Sequence, residues 1–178
     1  MTLIDLVKLK LAILTILAQI GIMLSVFYLL FFRKKYSFVQ KFIGKYSLLL
    51  AFIIALTATS GSLFYSEIVG FAPCVLCWYQ RIFMYPQVIL LGMAFWKKDK
   101  AIIDYSLALS IIGTVIAGYH YLMQLGVVSS FPCTAVGYSI SCTKLFVMQF
   151  GYITLPLMSF TAFLSITVLL FLAIKLRT

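Results

Sequence analysis

The chain has 178 residues, enough for one domain by length, yet 64% of them are hydrophobic, far above the roughly half expected of a soluble domain. Lysine and arginine outnumber the acidic residues by 14 to 4, for a formal charge of +10. The basic residues stand at the ends of apolar runs and form no stripe with interleaved polar residues, which excludes a nucleic-acid surface and marks them as topology signals in a chain that needs lipid around it.

In chain order, apolar runs near the roughly 20 residues that cross the hydrocarbon predict helical spans over 11–32, 47–66, 75–96, 105–125 and 151–174. The first is too long for a signal-peptide core of about 7–15 residues and lacks the polar face of a surface helix, so it reads as a span. After it come Arg33, Lys34, Lys35, Lys41 and Lys45; after the third run come Lys97, Lys98 and Lys100; after the last come Lys175 and Arg177. These clusters occupy alternate connections, which the positive-inside tendency assigns to the cytoplasm. The N-terminus is then outside, with Lys8 and Lys10 on the less favoured face.

The outer connections are a short one over 67–73 and a longer one over 126–150 that holds Pro132, Gly137 and Tyr138 and reads as a turn-rich loop. Small residues at helix-packing spacing, Ala58 with Ser62 and the series Ser110, Thr114 and Gly118, are explained by a compact bundle. The expected fold is therefore all-α, a polytopic membrane helix bundle of about five transmembrane helices. No soluble domain is visible, so function must lie in the membrane or at its edge.

All four cysteines fall at that outer edge: Cys74 and Cys77 at the start of the third run, Cys133 and Cys142 in the long loop. Outside the cytoplasm disulfides persist, so an even count confined to one face suggests two redox pairs. Cys74-Val75-Leu76-Cys77 is a CxxC at a helix N-terminus, where unpaired N–H groups and the dipole favour the thiolate. Cys133 and Cys142 enclose a short loop and can equally be a structural staple worth somewhat under about 3 kcal/mol. A zinc site built from the four sulfurs is a further alternative, weakened by the wide spacing of the second pair, and the expectation is no metal.

Helical spacing puts Arg81 on the face of Cys74 and Cys77, deeper in the span. Arginine at mid-membrane costs about 2.5–3.5 kcal/mol and less near the edge, where it can simply snorkel to headgroups. The alternative is a cation that stabilises charge in a functional site. His120, in the outer half of the fourth span with Gly113 and Ala117 on its face, is likewise either a functional imidazole or a hydrogen-bonded packing residue.

The run Pro73-Cys74-Val75-Leu76-Cys77-Trp78-Tyr79-Gln80-Arg81, followed by a span and an outer loop with Cys133 and Cys142, resembles the DsbB/BdbC family of disulfide-bond formation proteins, its BdbC-like branch most closely. The resemblance covers about 47–174 and implies a four-helix thiol oxidoreductase core over 47–178, with 1–46 an extra N-terminal helix and basic cytoplasmic loop. Vitamin K epoxide reductase-like proteins also join a helix bundle to quinone chemistry, but their loop cysteines precede the CxxC. What the resemblance implies is a multi-pass protein of the bacterial cytoplasmic (inner) membrane, both cysteine pairs outside. It reoxidises an extracytoplasmic thioredoxin-fold protein of the DsbA/BdbD kind and passes the electrons to a membrane quinone, ubiquinone or menaquinone.

The family mechanism implies the role of each cysteine. Cys133 forms the mixed disulfide with the partner and Cys142 completes its release. Cys74 exchanges with the loop pair, and Cys77, nearer Arg81, faces the quinone; Arg81 and His120 are the candidate quinone-binding residues. If the partner sits near −120 mV, a stable structural disulfide below about −300 mV is at least about 8 kcal/mol too weak an oxidant, so an acceptor must draw the electrons on. The competing expectation is a non-enzymatic membrane subunit or transporter with disulfide-stapled outer loops. It calls for a richer intramembrane polar pathway than this sequence offers.

Overall fold

The computed structural model describes residues 3–31, 37–97, 101–128 and 141–175, with side chains over 4–27, 46–97, 101–128 and 141–175. Cys133, Pro132, Gly137 and Tyr138 lie outside the described residues, as do Arg33, Lys34, Lys35, Lys98, Lys100 and Arg177. Each expected span is a helix: α1 (Leu3–Phe31), α2 (Ser37–Leu63), α3 (Val75–Lys97), α4 (Ala101–Gln124) and α5 (Leu155–Lys175), with a π-helical turn (Phe64–Ile68) closing α2. Among the described residues the only β-type pairing is an isolated bridge between Gln149 and Ile153. The protein is an all-α, polytopic membrane helix bundle.

Among the described residues four segments are long and apolar enough to cross a membrane: Ile4–Phe27, Tyr46–Ile68, Ala101–Gln124 and Leu155–Lys175. α3 has the length, 23 residues, but carries Gln80, Arg81 and Gln87. Both glutamines are buried, whereas Ile82, Ile89, Met93 and Phe95 are exposed. We read α3 as the fifth span, its polar groups turned into the bundle and its apolar face to lipid. Gln87 is hydrogen-bonded there, donating to the Phe83 carbonyl at 3.1 Å and accepting from Ser110 Oγ at 2.9 Å, a proton shared with the Ser106 carbonyl.

Helix ends depart from the apolar runs. α1 starts at Leu3 and α2 at Ser37, ahead of 11 and 47, because apolarity marks where hydrocarbon begins and not where the hydrogen-bond ladder begins. α5 starts later than 151: Phe150 (φ 52°) and Gly151 (φ 79°) form a turn closed by two 2.9 Å backbone bonds between Gln149 and Ile153. α4 stops in a Schellman motif, with Gly126 at φ 72° and the Val127 N–H on the Leu122 carbonyl at 3.1 Å.

α5 is central, packed by α4, α2 and α1, while α3 bridges α2 and α4. The core between them includes Met84, Leu91, Ile103, Ala117, Phe163 and Ile166. α1 docks on α5 by a specific contact. Ala12 is buried against Ile153 and Leu157, and the Gln19 amide donates to Thr161 Oγ1 at 3.3 Å and accepts from the Tyr152 hydroxyl at 3.2 Å. An amide paired in this way fixes the helix in register. Lys8 Nζ stands 5.9 Å from the Phe71 ring, so the N-terminal end of α1 shares the CxxC side of the bundle, where a cation–π contact offsets its unfavoured placement.

Candidate functional site

The CxxC is built by the start of α3. Gly70, at φ 78°, ends the preceding turn, and residues without regular structure lead to Cys74, which caps the helix. The Cys74 carbonyl accepts the Trp78 N–H at 3.1 Å, and its Sγ accepts the Cys77 N–H at 3.3 Å, as an N-cap side chain does. One helical turn brings Cys77 Sγ to 2.8 Å from Cys74 Sγ, both of them free thiols, not far from the about 2.05 Å of a formed disulfide. The Cys77 thiol hydrogen bond, then contact with His120, holds the Cys74 thiol well below the usual thiol range against the opposing effect of burial.

On one side Cys74 faces the loop cysteine. Cys142 is disulfide-bonded, buried, and packed in one cluster with Cys74, Leu76 and Met123. His120, also buried, joins the two. Gln80 Nε2 donates to His120 Nδ1 at 2.9 Å, which leaves the proton on Nε2, and Nε2 lies 3.0 Å from the Cys142 carbonyl and 3.8 Å from Cys74 Sγ. The imidazole therefore spans the CxxC and the turn that carries Cys142.

On the other side Cys77 faces a cavity of about 280 Å³ between α2, α3, α5 and α1. Arg81 lines it with Cys77 and Gln80, whereas His120 and Cys74 are not among its walls. The guanidinium is held inside the bundle: Nε donates to Ser62 Oγ at 3.0 Å, Nη2 to the Ser62 carbonyl at 3.2 Å, and the Trp78 ring covers it at 5.2 Å. Tyr85 donates to the same Ser62 hydroxyl at 3.3 Å. These bonds hold Arg81 on α2, where a snorkelling side chain would reach for headgroups. Most of the remaining wall is aliphatic or aromatic.

Cys74, Cys77 and His120 also offer donor atoms within 4.8 Å of one another. A zinc ion on both sulfurs would spread them to about 3.8 Å, the separation that two bonds of about 2.3 Å give at a tetrahedral angle. At 2.8 Å the sulfurs are placed for each other. The disulfide at Cys142 also removes one thiolate from any four-sulfur site.

Thus the structure brings Cys74, Cys77, Arg81, His120 and Cys142 into one connected site, while Cys133 is outside the described residues. Sequence reasoning missed Gln80, Ser62 and Tyr85. Gln80 was visible as a polar residue one turn from Cys77 and next to Arg81. Ser62 looked like a packing residue; only the tertiary approach of α2 to α3 shows it as the acceptor for Arg81.

A family model described as disulfide bond formation protein DsbB matches residues 44–173. A probable disulfide formation protein C from Bacillus cereus is 46% identical over 131 residues, 74% of this chain and 94% of the relative. An SPbeta prophage-derived disulfide bond formation protein B from Bacillus subtilis is 51% identical over 115 residues, 65% of this chain and 76% of the relative. A probable disulfide formation protein from Metapseudomonas resinovorans is 40% identical over 133 residues, 74% of this chain and 90% of the relative. No solved structure matches the chain.

Proposed function

Since this chain belongs to the DsbB family of disulfide bond formation proteins, we propose that it reoxidises an extracytoplasmic thioredoxin-fold thiol oxidase and delivers the electrons to a membrane quinone. The observation that carries this reading is the placement of the CxxC between two surroundings. Cys74 shares a buried cluster with disulfide-bonded Cys142 and is linked to it through His120, and Cys77 opens on the cavity with Arg81.

In this reading Cys133 and Cys142 form the entry disulfide. A partner thiolate attacks it at Cys133, Cys142 leaves as a thiolate, and the partner's second thiol displaces Cys133, so the partner gains a disulfide and the loop pair two electrons. A thiolate of the reduced loop pair then attacks the oxidised CxxC at Cys74 and Cys77 leaves as a thiolate; the second loop thiol displaces Cys74, whose position at the helix N-terminus favours its release as a thiolate. His120 acts here as a positioning residue: Gln80 fixes its tautomer, and its Nε2–H holds the Cys142 carbonyl beside Cys74. His120 serves quinone binding only indirectly, through Gln80, which does line the cavity.

The cavity residues fit a quinone head group, with the Arg81 guanidinium and the Gln80 amide as donors and a carbon wall for the ring and tail. When bound, a quinone accepts the two electrons and two protons released as Cys74 and Cys77 close their disulfide. Arg81 would place its charge against the quinone oxygen while Ser62 and Trp78 keep the side chain aimed. The direct test is a purified system of protein, reduced thioredoxin-fold partner and quinone, followed by quinone absorbance; no partner-dependent reduction sinks the proposal. Arg81→Met is expected to raise the apparent quinone KM by about tenfold or more, the scale of a lost charged hydrogen bond, with the Cys142 disulfide still formed on gels. Unchanged kinetics would assign Arg81 to structure alone.

We also place both cysteine pairs on the extracytoplasmic side. Cys74 and Cys142 are too buried to report topology themselves, so reporters are placed at exposed sites in a background with the four native cysteines changed to serine. Val127→Cys should be labelled by a membrane-impermeant maleimide in intact spheroplasts, and Lys97→Cys only after permeabilisation. The reverse pattern would invert the bundle and end the oxidase reading.

A further inference from the structure

The family match begins at residue 44, so α1 lies wholly outside it, yet α1 supplies one side of the cavity that Cys77 and Arg81 share. We propose that α1 is a specificity element of the acceptor site, with Leu14, Thr15 and Ala18 forming the wall against which the isoprenoid tail of a quinone lies. The inference rests on the quinone reading above and goes beyond it by naming the residues that select the tail.

The sequence of α1 fits a wall. Leu11, Leu14, Thr15 and Ala18 fall at i, i+3, i+4 and i+7, one face of a helix, and all four line the cavity. Opposite them α2 presents Thr57, Ala58 and Gly61, and α5 presents Ser159 and Ala162. Small residues on facing membrane helices normally let backbones close together. Gly61 does so here by admitting the Leu11 side chain, whereas Thr57, Ala58, Ser159 and Ala162 border about 280 Å³ of space, so their smallness makes room. α1 docks on α5, where Gln19, one residue beyond Ala18, is clamped by Thr161 and Tyr152 and Ala12 is buried against Ile153 and Leu157, and it meets α2 where Leu11 lies against Gly61. Without α1, the groove between α2 and α5, floored by Cys77, Arg81 and Met84, would open directly to lipid. With it, the groove is a walled slot near the lower size limit of ligand pockets, which run from about 300 Å³.

The occupant follows from continuity. The polar end of the slot is the redox end, with Cys77, Gln80 and Arg81. The walls leading away from it are hydrocarbon and hydroxyl groups that bond within their own helices: Thr15 to the Leu11 carbonyl at 2.8 Å and Thr57 to the Ile53 carbonyl at 2.8 Å. A molecule with a hydrogen-bonding ring at one end and a long apolar chain at the other matches that polarity, and the chain must pass α1.

The test uses the full-length protein in nanodiscs. A quinone bearing a photoreactive azide on its tail is expected to label the tryptic segment that begins at Leu11, with the tail-less head group competing only weakly. Independently, binding is read without turnover by quenching of tryptophan fluorescence, since Trp78 stands over Arg81. Ala18→Phe should raise the Kd of a decyl-tailed quinone about tenfold and leave that of the tail-less quinone within about twofold, the scale of steric exclusion from an apolar slot. Label confined to α2, α3 or α5, or equal Kd changes for both quinones, overturns the role of α1 while leaving the quinone reading intact. Absence of any quinone-dependent quenching or labelling in the unsubstituted protein overturns both.

Discussion

Replacing Cys74 and Cys77 together with serine should leave Cys133 and Cys142 accumulating as reduced thiols in cells, with quinone reduction at background. The reason is directional. A reduced partner can still attack the loop disulfide, but the electrons then have no onward route, because the group that packs against Cys142 and the group that faces the cavity are both gone. The converse variant, Cys133→Ser with Cys142→Ser, should show the opposite signature. The CxxC stays oxidised, since the acceptor can still draw electrons from it, and the partner accumulates reduced for want of an entry point. Two independent staples would show no such asymmetry. Alkylation-shift gels of both variants, with the partner blotted alongside, read the four states directly. A loop disulfide that remains fully oxidised in the CxxC variant while the partner is reduced would make the loop pair a staple and break the relay.

Much of this site was legible in the sequence because its logic is local. A CxxC three residues apart at the head of an apolar run is one helical turn, and Arg81 one turn beyond Cys77 has to share its side of the helix. What was not legible is tertiary. The sequence could not say that Cys74 turns to the loop and Cys77 to the cavity, since that division depends on where α4 and α2 sit about α3. Nor could it rank His120 against a packing histidine. The ranking comes from Gln80 on one nitrogen and the Cys142 carbonyl on the other, contacts made across helices. The run at 11–32 read correctly as a span, but its part in the cavity was invisible, because nothing in an unbroken apolar helix with low amphipathicity announces which face it buries.

Gly113→Val is expected to be the most destabilising single change outside the cysteines, and its effect should reach the site. Gly113 lies on the buried stripe of α4 that continues through Ala117 to His120. A Cβ at Gly113 would overlap the Cε1, Cδ1 and Cζ atoms of Phe163, a ring with no exposure at all and therefore nowhere to go. Overpacking of this kind costs about 1–3 kcal/mol and more where neither side can move, so the variant should lose about 6–12 °C in thermal midpoint. Gly118→Ala is the control: its Cβ would meet Phe160 Cε2 at 3.2 Å, and Phe160 is only partly buried and can shift, so a change of no more than about 2 °C is expected. Adding Phe163→Leu to Gly113→Val should restore part of the loss, a coupling that a double-mutant cycle measures. Because the overlap pushes α4 from α5, whatever protein still folds should also exchange electrons more slowly between the loop pair and Cys74, the step His120 positions. A Gly113→Val protein with an unchanged midpoint would show that α4 and α5 do not meet as closely as the Gly113–Phe163 contact requires.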